Sequence, residues 1–183
     1  MAGPDRRPRA PRLDPDTRRG LIVDAAEHLL AEHDPLLVTF EQVADAAGVS
    51  RPLVHTYLGD RRGLIDAVQV RIIGRLDTWV GHGLARADSP ADAWRAVVHG
   101  VLAFVESEHD GWSVLSATGG LDHPALHGLR QRWAATVAAG DDARSHLAST
   151  AAIGALLLEA APWANRGVDA SEVLAVLDPA GHG

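Results

Sequence analysis

Apolar residues recur at helical spacing along most of the chain, and capping residues rather than strand-like alternation punctuate the polar positions between them. Asp14 and Pro15 open the first stretch, in which Leu21, Ile22, Ala25, Ala26, Leu29 and Leu30 share a face as far as His33, before Pro35. Thr39-Phe40-Glu41-Gln42 has the form of a capping box, with Val38 and Val43 placed as a hydrophobic staple, so a short helix is predicted from Phe40. Gly48 stops it, and Val49 supplies an apolar contact in the turn. Ser50 then caps a third helix reaching Tyr57, with Pro52 in its first turn, where a missing amide is harmless. Asp60 caps a long fourth helix whose apolar face is Leu64, Ile65, Val68, Ile72, Ile73, Leu76 and Val80.

The pattern continues to the end. Ser89-Pro90-Ala91-Asp92 opens a helix carrying Trp94, Val97, Val98, Val101 and Val105, and a short one holds Trp112 and Leu115. Asp122 with Pro124 starts another through Leu126, Leu129, Trp133 and Val137, and a long one spans Asp142 to Asn165. Asp169-Ala170-Ser171-Glu172 is a second capping box before Val173, Leu174 and Leu177. The fold class predicted is all-α, with about nine helices.

Composition narrows the picture. A chain of 183 residues buries a core without staples, and the absence of cysteine excludes disulfides, thiolate metal sites and a cysteine nucleophile. With 46% apolar residues but only 4% aromatics, alanine, leucine and valine fill the core, which favours helix over sheet. No apolar run follows the N-terminal arginines, and the stretch 151–164 is interrupted by Glu159 and Pro162. A soluble, cytoplasmic protein is therefore expected. The net charge of -7 is unevenly spread: residues 1–75 hold 11 arginines and 11 acidic residues, residues 76–183 hold 6 and 13. Residues 1–14, with Arg6, Arg7, Arg9 and Arg12 among three prolines, read as a flexible basic arm.

Two short helices joined by a tight, glycine-containing turn make a helix-turn-helix, whose second helix can enter a major groove about 12 Å wide. Val43, Ala47, Val49, Val54 and Tyr57 fall where such helices must pack, and the small Ala44 lets the backbones approach. The run from Leu21 to Val68 resembles the N-terminal signature of the TetR-like transcriptional regulators. The resemblance is carried by Ala25-Ala26, Val38-Thr39, Val43-Ala44, Ala46-Ala47-Gly48-Val49-Ser50, Tyr57-Leu58 and Leu64.

This resemblance implies a DNA-binding domain over 15–60 and a helical ligand-binding and dimerisation domain over 61–183, with the fourth helix as the sole continuous connection. It implies a homodimer on a roughly palindromic double-stranded DNA operator. Carried over residue by residue, it makes Thr39 a phosphate contact, Ser50 a cap that touches the DNA backbone, Arg51, Pro52, Leu53, His55 and Thr56 groove-facing, and Tyr57 and Arg61 phosphate contacts. The chain departs from the family where His55 replaces a usual tyrosine, Leu53 a common polar residue, Leu58 and Gly59 an aromatic and a turn residue, and Arg61-Arg62 a frequent lysine-glutamate. The competing reading is a packing-only hairpin in which Thr39 and Ser50 are plain caps. The arm is either a minor-groove or phosphate contact or a solvated tail.

All five tryptophans lie after residue 75, and large aromatics fill cores and ligand pockets alike. Read as a set, Trp94, Phe104, Trp112, Trp133 and Trp163 suggest a pocket for a small apolar effector, with Glu159 as a counter-charge. The small residues of the long penultimate helix, with the family's habit of pairing its last helices, place a dimer seam on Ala148, Ala151, Ala152, Ala155, Leu158, Val173 and Leu177. Packing within one chain is the alternative. His123 and His127 stand at the i, i+4 spacing of a metal pair, beside Asp122, but no further ligand is in sight, so neither metal nor cofactor is expected. Ser113, Ser116, His109 and Asp110 lack a nucleophile elbow, and no phosphate-binding glycine pattern occurs, so no enzyme is expected. The function expected is a ligand-responsive repressor. The alternatives are an activator, a ligand-blind DNA-binding protein, or a helical ligand-binding or interaction protein without DNA binding.

Overall fold

The structure, a computed structural model, describes residues 14–177; the predicted basic arm up to Leu13 lies outside the described residues. Among those described, every regular element is helical. The order is α1 (Pro15–Glu32), α2 (Phe40–Ala47), α3 (Arg51–Leu58), α4 (Arg61–Leu84), α5 (Pro90–Ser107), α6 (His109–Ala117), a 3-10 turn (Gly120–Asp122), α7 (Pro124–Val137), α8 (Ala143–Asn165) and α9 (Ala170–Val176).

Most helix starts follow the capping chemistry of the sequence. Asp14 accepts from the amides of Asp16 and Thr17 to begin α1, and Asp60, Ser89, Asp142 and Asp169 cap α4, α5, α8 and α9 through their side chains. At α2 the box closes reciprocally: the Gln42 amide donates to Thr39 Oγ1 at 3.3 Å while the Thr39 amide donates to Gln42 Oε1 at 2.8 Å. Gly48 follows with φ 64°, the left-handed conformation that ends a helix at little cost without a Cβ.

One expectation is corrected. Asp122 does not cap α7; it closes the 3-10 turn, and His123 takes the cap position, its Nδ1 accepting from the Ala125 amide at 3.1 Å. The imidazole wins because Pro124 fills the first helical position and Ala125 carries the first free amide of α7. Packing adds to the continuous connection that α4 makes between the N-terminal helices and the rest, because α1 also rests on α6. Pro162 is accommodated inside α8, which runs on to Asn165.

The buried residues form one cluster from Ile22 and Val43, through Ile72 and Leu76 of α4, to Phe104, Trp133 and Leu156. Its most extensive seam is α4 on α5, where the helices meet closely at Gly100: a Cβ there would stand 2.9 Å from Val80 Cα. Trp94 is tied into this core by an indole hydrogen bond of 2.6 Å to the Leu177 carbonyl. That bond fastens the end of α9 to α5.

Candidate nucleic-acid interface

Helix α3 is held by its apolar positions and offers the others. Val54 and Leu58 are buried, and Tyr57 packs against the core beside Val49 and Ala47. The alternate face is outward: Arg51, Pro52, His55 and Thr56 are exposed and Leu53 is half-buried. The expected reading residues therefore lie together on one open side of one helix. Arg51 has no hydrogen bond or ion pair among the described residues, and the Ser50 hydroxyl makes no capping bond although Ser50 stands at the cap position.

His55 is oriented in advance. Its Nδ1 lies 3.0 Å from the Gly59 carbonyl, an acceptor, so Nδ1 carries the proton and Nε2 is left as an acceptor in the neutral ring. The ring also meets Phe40 edge-on, with centroids 4.3 Å apart, which ties α3 to the start of α2. Thr56 donates its hydroxyl proton to the Pro52 carbonyl at 2.9 Å and so presents oxygen outward as an acceptor.

The phosphate-side residues divide. Thr39 spends its hydroxyl proton on Gln42 Oε1 at 2.9 Å, which leaves the first-turn amides of α2, rather than that hydroxyl, as donors to an anion. Arg61 donates through Nη1 to the Val38 carbonyl at 2.8 Å, so it braces the start of α2 from the first turn of α4. Tyr57 Oη accepts from Arg18 Nη1 at 3.5 Å across to α1. The partners of Arg61 and Tyr57 are not legible in the sequence, because each bond joins residues far apart in the chain.

The electrostatic balance of this end follows from where the acids of α1 point. Arg71 pairs with Asp24 and Glu27, and Arg75 with Glu27, all between α1 and α4 and away from α3. Glu32 stands beside His28 on the same helix. Arg51, Arg61 and Arg62 are exposed around the start of α3 and α4, with Glu41 and Asp45 exposed on α2.

The residues expected elsewhere are placed as follows. Trp94, Phe104, Trp112 and Trp133 are core residues, 5%, 0%, 4% and 2% exposed, with Phe104 edge-on to both Trp79 and Trp112; Trp163 is half-buried and Glu159 exposed on α8. The Trp133 indole nitrogen is buried without a hydrogen-bond partner among the described residues. On α8, Ala151 and Leu158 are exposed together with Leu147, and Ala148 and Ala155 are half-buried. Ala152 and Val173 face the chain's own core, and Leu177 packs beside it. Among the described residues α8 is the one helix long and apolar enough to cross a membrane, although the stretch 151–164 alone is too short; a third of its most apolar 18 residues is buried inside the protein. His123 and His127 do not form a pair on one helix face, since His123 precedes α7 and both its ring nitrogens are engaged, by Ala125 and by Asp66 at 3.0 Å.

Comparison with known proteins bears on the same segment. Residues 22–68 match the family model of bacterial regulatory proteins, tetR family. The chain is 28% identical over 107 residues to the transcriptional activator FasR of Mycolicibacterium smegmatis, covering 58% of this chain and 49% of that one. It is 34% identical over 82 residues to the transcriptional regulator BetI of Agrobacterium fabrum, covering 45% and 40%. The matches therefore span half or less of these relatives' lengths. A solved TetR-like transcriptional regulator from Rhodococcus sp. RHA1 shares the fold with a TM-score of 0.67 at 22% identity, over 91% of this chain and 94% of that one. Residues 22–68 are thus a segment of the kind found in the bacterial tetR family of regulatory proteins, and the similarity in sequence is carried by that N-terminal part.

Proposed function

We propose that the chain is a homodimeric, DNA-binding transcription regulator that inserts α3 into the major groove. The observation that carries this reading is the capped α2–Gly48–α3 unit with Arg51, Pro52, His55 and Thr56 exposed on one face, in a segment matching the family's DNA-binding region. Arg51, with no side-chain partner among the described residues, is the side chain available for a bidentate contact to guanine, and His55 Nε2 suits a base amino group. Ser50 and the first-turn amides of α2 suit phosphates, with Tyr57 and Arg61 at the margin.

The dimer reading rests on the exposed apolar stripe Leu147, Ala151 and Leu158 of α8, which a second copy would cover around a two-fold axis. Two α3 helices would then sit about 34–36 Å apart on a palindromic site. Leu158→Glu is expected to give a monomer in sedimentation and to lose cooperative operator binding. A stable dimer of that variant would move the seam elsewhere.

The regulator acts as a repressor released by an effector bound among the helices after α4. The activator reading stays beside it, because the relative FasR is named an activator. Selection of bound genomic fragments followed by a salt titration tests the whole proposal. A palindromic site is expected, with Arg51→Ala weakening binding at its guanine by about 1–3 kcal/mol and relaxing sequence preference there. No enrichment above non-specific duplex would overturn DNA reading.

A further inference from the structure

A cleft of about 750 Å³ lies between the first turns of α4 and the connection from α6 to α7, outside the tryptophan core. Arg61, Arg62, Ile65, Asp66 and Gln69 line one wall, and Thr118, Gly119, Asp122, His123 and Pro124 the other. Its volume is of the size that takes small organic ligands.

The polar groups on its walls are unevenly satisfied. Gln69 is 6% exposed, and its Nε2 donates to both the carbonyl and the hydroxyl oxygen of Thr118 at 2.9 Å. The carbonyl partner fixes the amide orientation, because a carbonyl can only accept. Gln69 Oε1 is therefore left as an acceptor with no donor among the described residues. Asp122 and Arg62 also have no hydrogen-bond or ion-pair partner among the described residues. Asp66 and His123, by contrast, satisfy each other at 3.0 Å. The cleft thus offers one free guanidinium, one free carboxylate and one free amide oxygen over the apolar surfaces of Ile65 and Pro124.

A simple anion would meet Arg62 but face the Asp122 carboxylate and the Gln69 Oε1 acceptor, and a simple cation would face Arg62. A molecule bearing both signs satisfies all three. Arg61 gives the cleft a connection to the reading helices, since it also lines the smaller cavity beside Thr39, Phe40, Arg51 and His55 and holds the Val38 carbonyl.

We propose that this cleft binds a small zwitterion of the amino-acid kind, its carboxylate on Arg62 and Arg61 and its ammonium on Asp122 and Gln69 Oε1, and that the bound carboxylate draws Arg61 off the Val38 carbonyl. The effect on operator binding rests on the DNA-reading proposal above, whereas the site and the movement of Arg61 do not. Occupation loosens the brace between α4 and the start of α2, and with it the placement of α3.

The test uses the full chain without DNA. Free amino acids are titrated by calorimetry, and each that binds is compared with the matching amine, which lacks the carboxylate, and the matching acid, which lacks the ammonium. At least one amino acid is expected to bind with a dissociation constant in the millimolar range or tighter. Both half-molecules are expected to bind at least tenfold more weakly. Arg62→Gln and Asp122→Asn, both on exposed side chains, are each expected to weaken the zwitterion at least tenfold while leaving the circular dichroism melt unchanged. Hydrogen exchange at residues 38–43 is expected to quicken on binding. Absence of binding by every amino acid, or binding that both substitutions leave unchanged, overturns the site. Binding without faster exchange at 38–43 overturns the role of Arg61. Failure of operator selection leaves these readouts intact and sinks only the DNA-reading proposal.

Discussion

Gly63 shows what a single missing Cβ does here. It lies in the first turn of α4, where the chain has just turned out of α3, and a Cβ at this position would run into the Leu58 carbonyl oxygen, with the carbonyl carbon 3.2 Å away. The obstacle is backbone, so neither side can yield as a flexible side chain would. Gly63→Ala is expected to cost about 1–3 kcal/mol by forcing α3 and α4 apart, read as a lower denaturant midpoint at unchanged slope. The same displacement tilts Arg51 and His55, so operator affinity should fall more than stability alone explains. An unchanged midpoint would mean that the α3–α4 corner is softer than its geometry. At this scale the sequence was legible where a residue acts on its immediate neighbours: the Thr39–Gln42 box and the left-handed Gly48 follow from residue type and spacing. It was silent where the partner is distant. Nothing local to Gly63, or to the Arg61 bond with Val38, marks either.

At the scale of elements, helix starts were read well because their capping signals lie within four residues of one another, and Asp14, Asp142 and Asp169 each take the predicted place before α1, α8 and α9. The start of α7 was misplaced by one residue, since Asp122 and His123 are both plausible caps and the 3-10 turn before them decides between the two. The capping carboxylates also set an acid limit to stability. The hydroxyl of Thr17 holds Asp14 below its usual 3.8, that of Ser145 does so for Asp142 and that of Ser171 for Asp169, each with help from first-turn amides. The folded chain consequently binds fewer protons than the unfolded one in acid. This contribution is complete above the usual carboxylate value and is lost as pH falls through the lowered values. The thermal midpoint should fall as pH drops through the carboxylate range, and replacing the three aspartates by asparagine, an equally good cap, should flatten that limb while changing the midpoint little at neutral pH. A limb of unchanged steepness in the triple variant would assign acid sensitivity to other carboxylates.

For the whole molecule, the feature least visible in the sequence is the joint that fixes the N-terminal helices to those that follow. Arg75 of α4 reaches Glu27 of α1 with both terminal nitrogens, one bond measuring 3.0 Å, and its Nε stands 3.2 Å from Glu108 between α5 and α6. Glu27, the principal cause, together with Glu108 holds the guanidinium above its ordinary value. Helix α6 comes close enough to share the site because Gly111 leaves room: a Cβ there would stand 2.9 Å from Arg75 Nη2. Arg75→Met keeps the apolar stem but takes the cation from Glu108 and leaves Glu27 with Arg71 alone, at a cost of about 1–3 kcal/mol. Cooperativity should suffer more than the total. All five tryptophans follow residue 75, so indole fluorescence reports the later helices alone, whereas circular dichroism reports every helix. In the native chain the two signals should unfold together, as one cooperative unit. In Arg75→Met the circular dichroism transition should begin at lower denaturant than the fluorescence transition, because α1 to α3 come loose first, and Glu27→Gln in the same chain should recover part of the gap by removing a carboxylate that has lost its nearer cation. Coincident transitions in Arg75→Met would show that apolar packing of α1 on α4 and α6 is enough to keep the chain one unit, and that the ion pairs merely fill the seam.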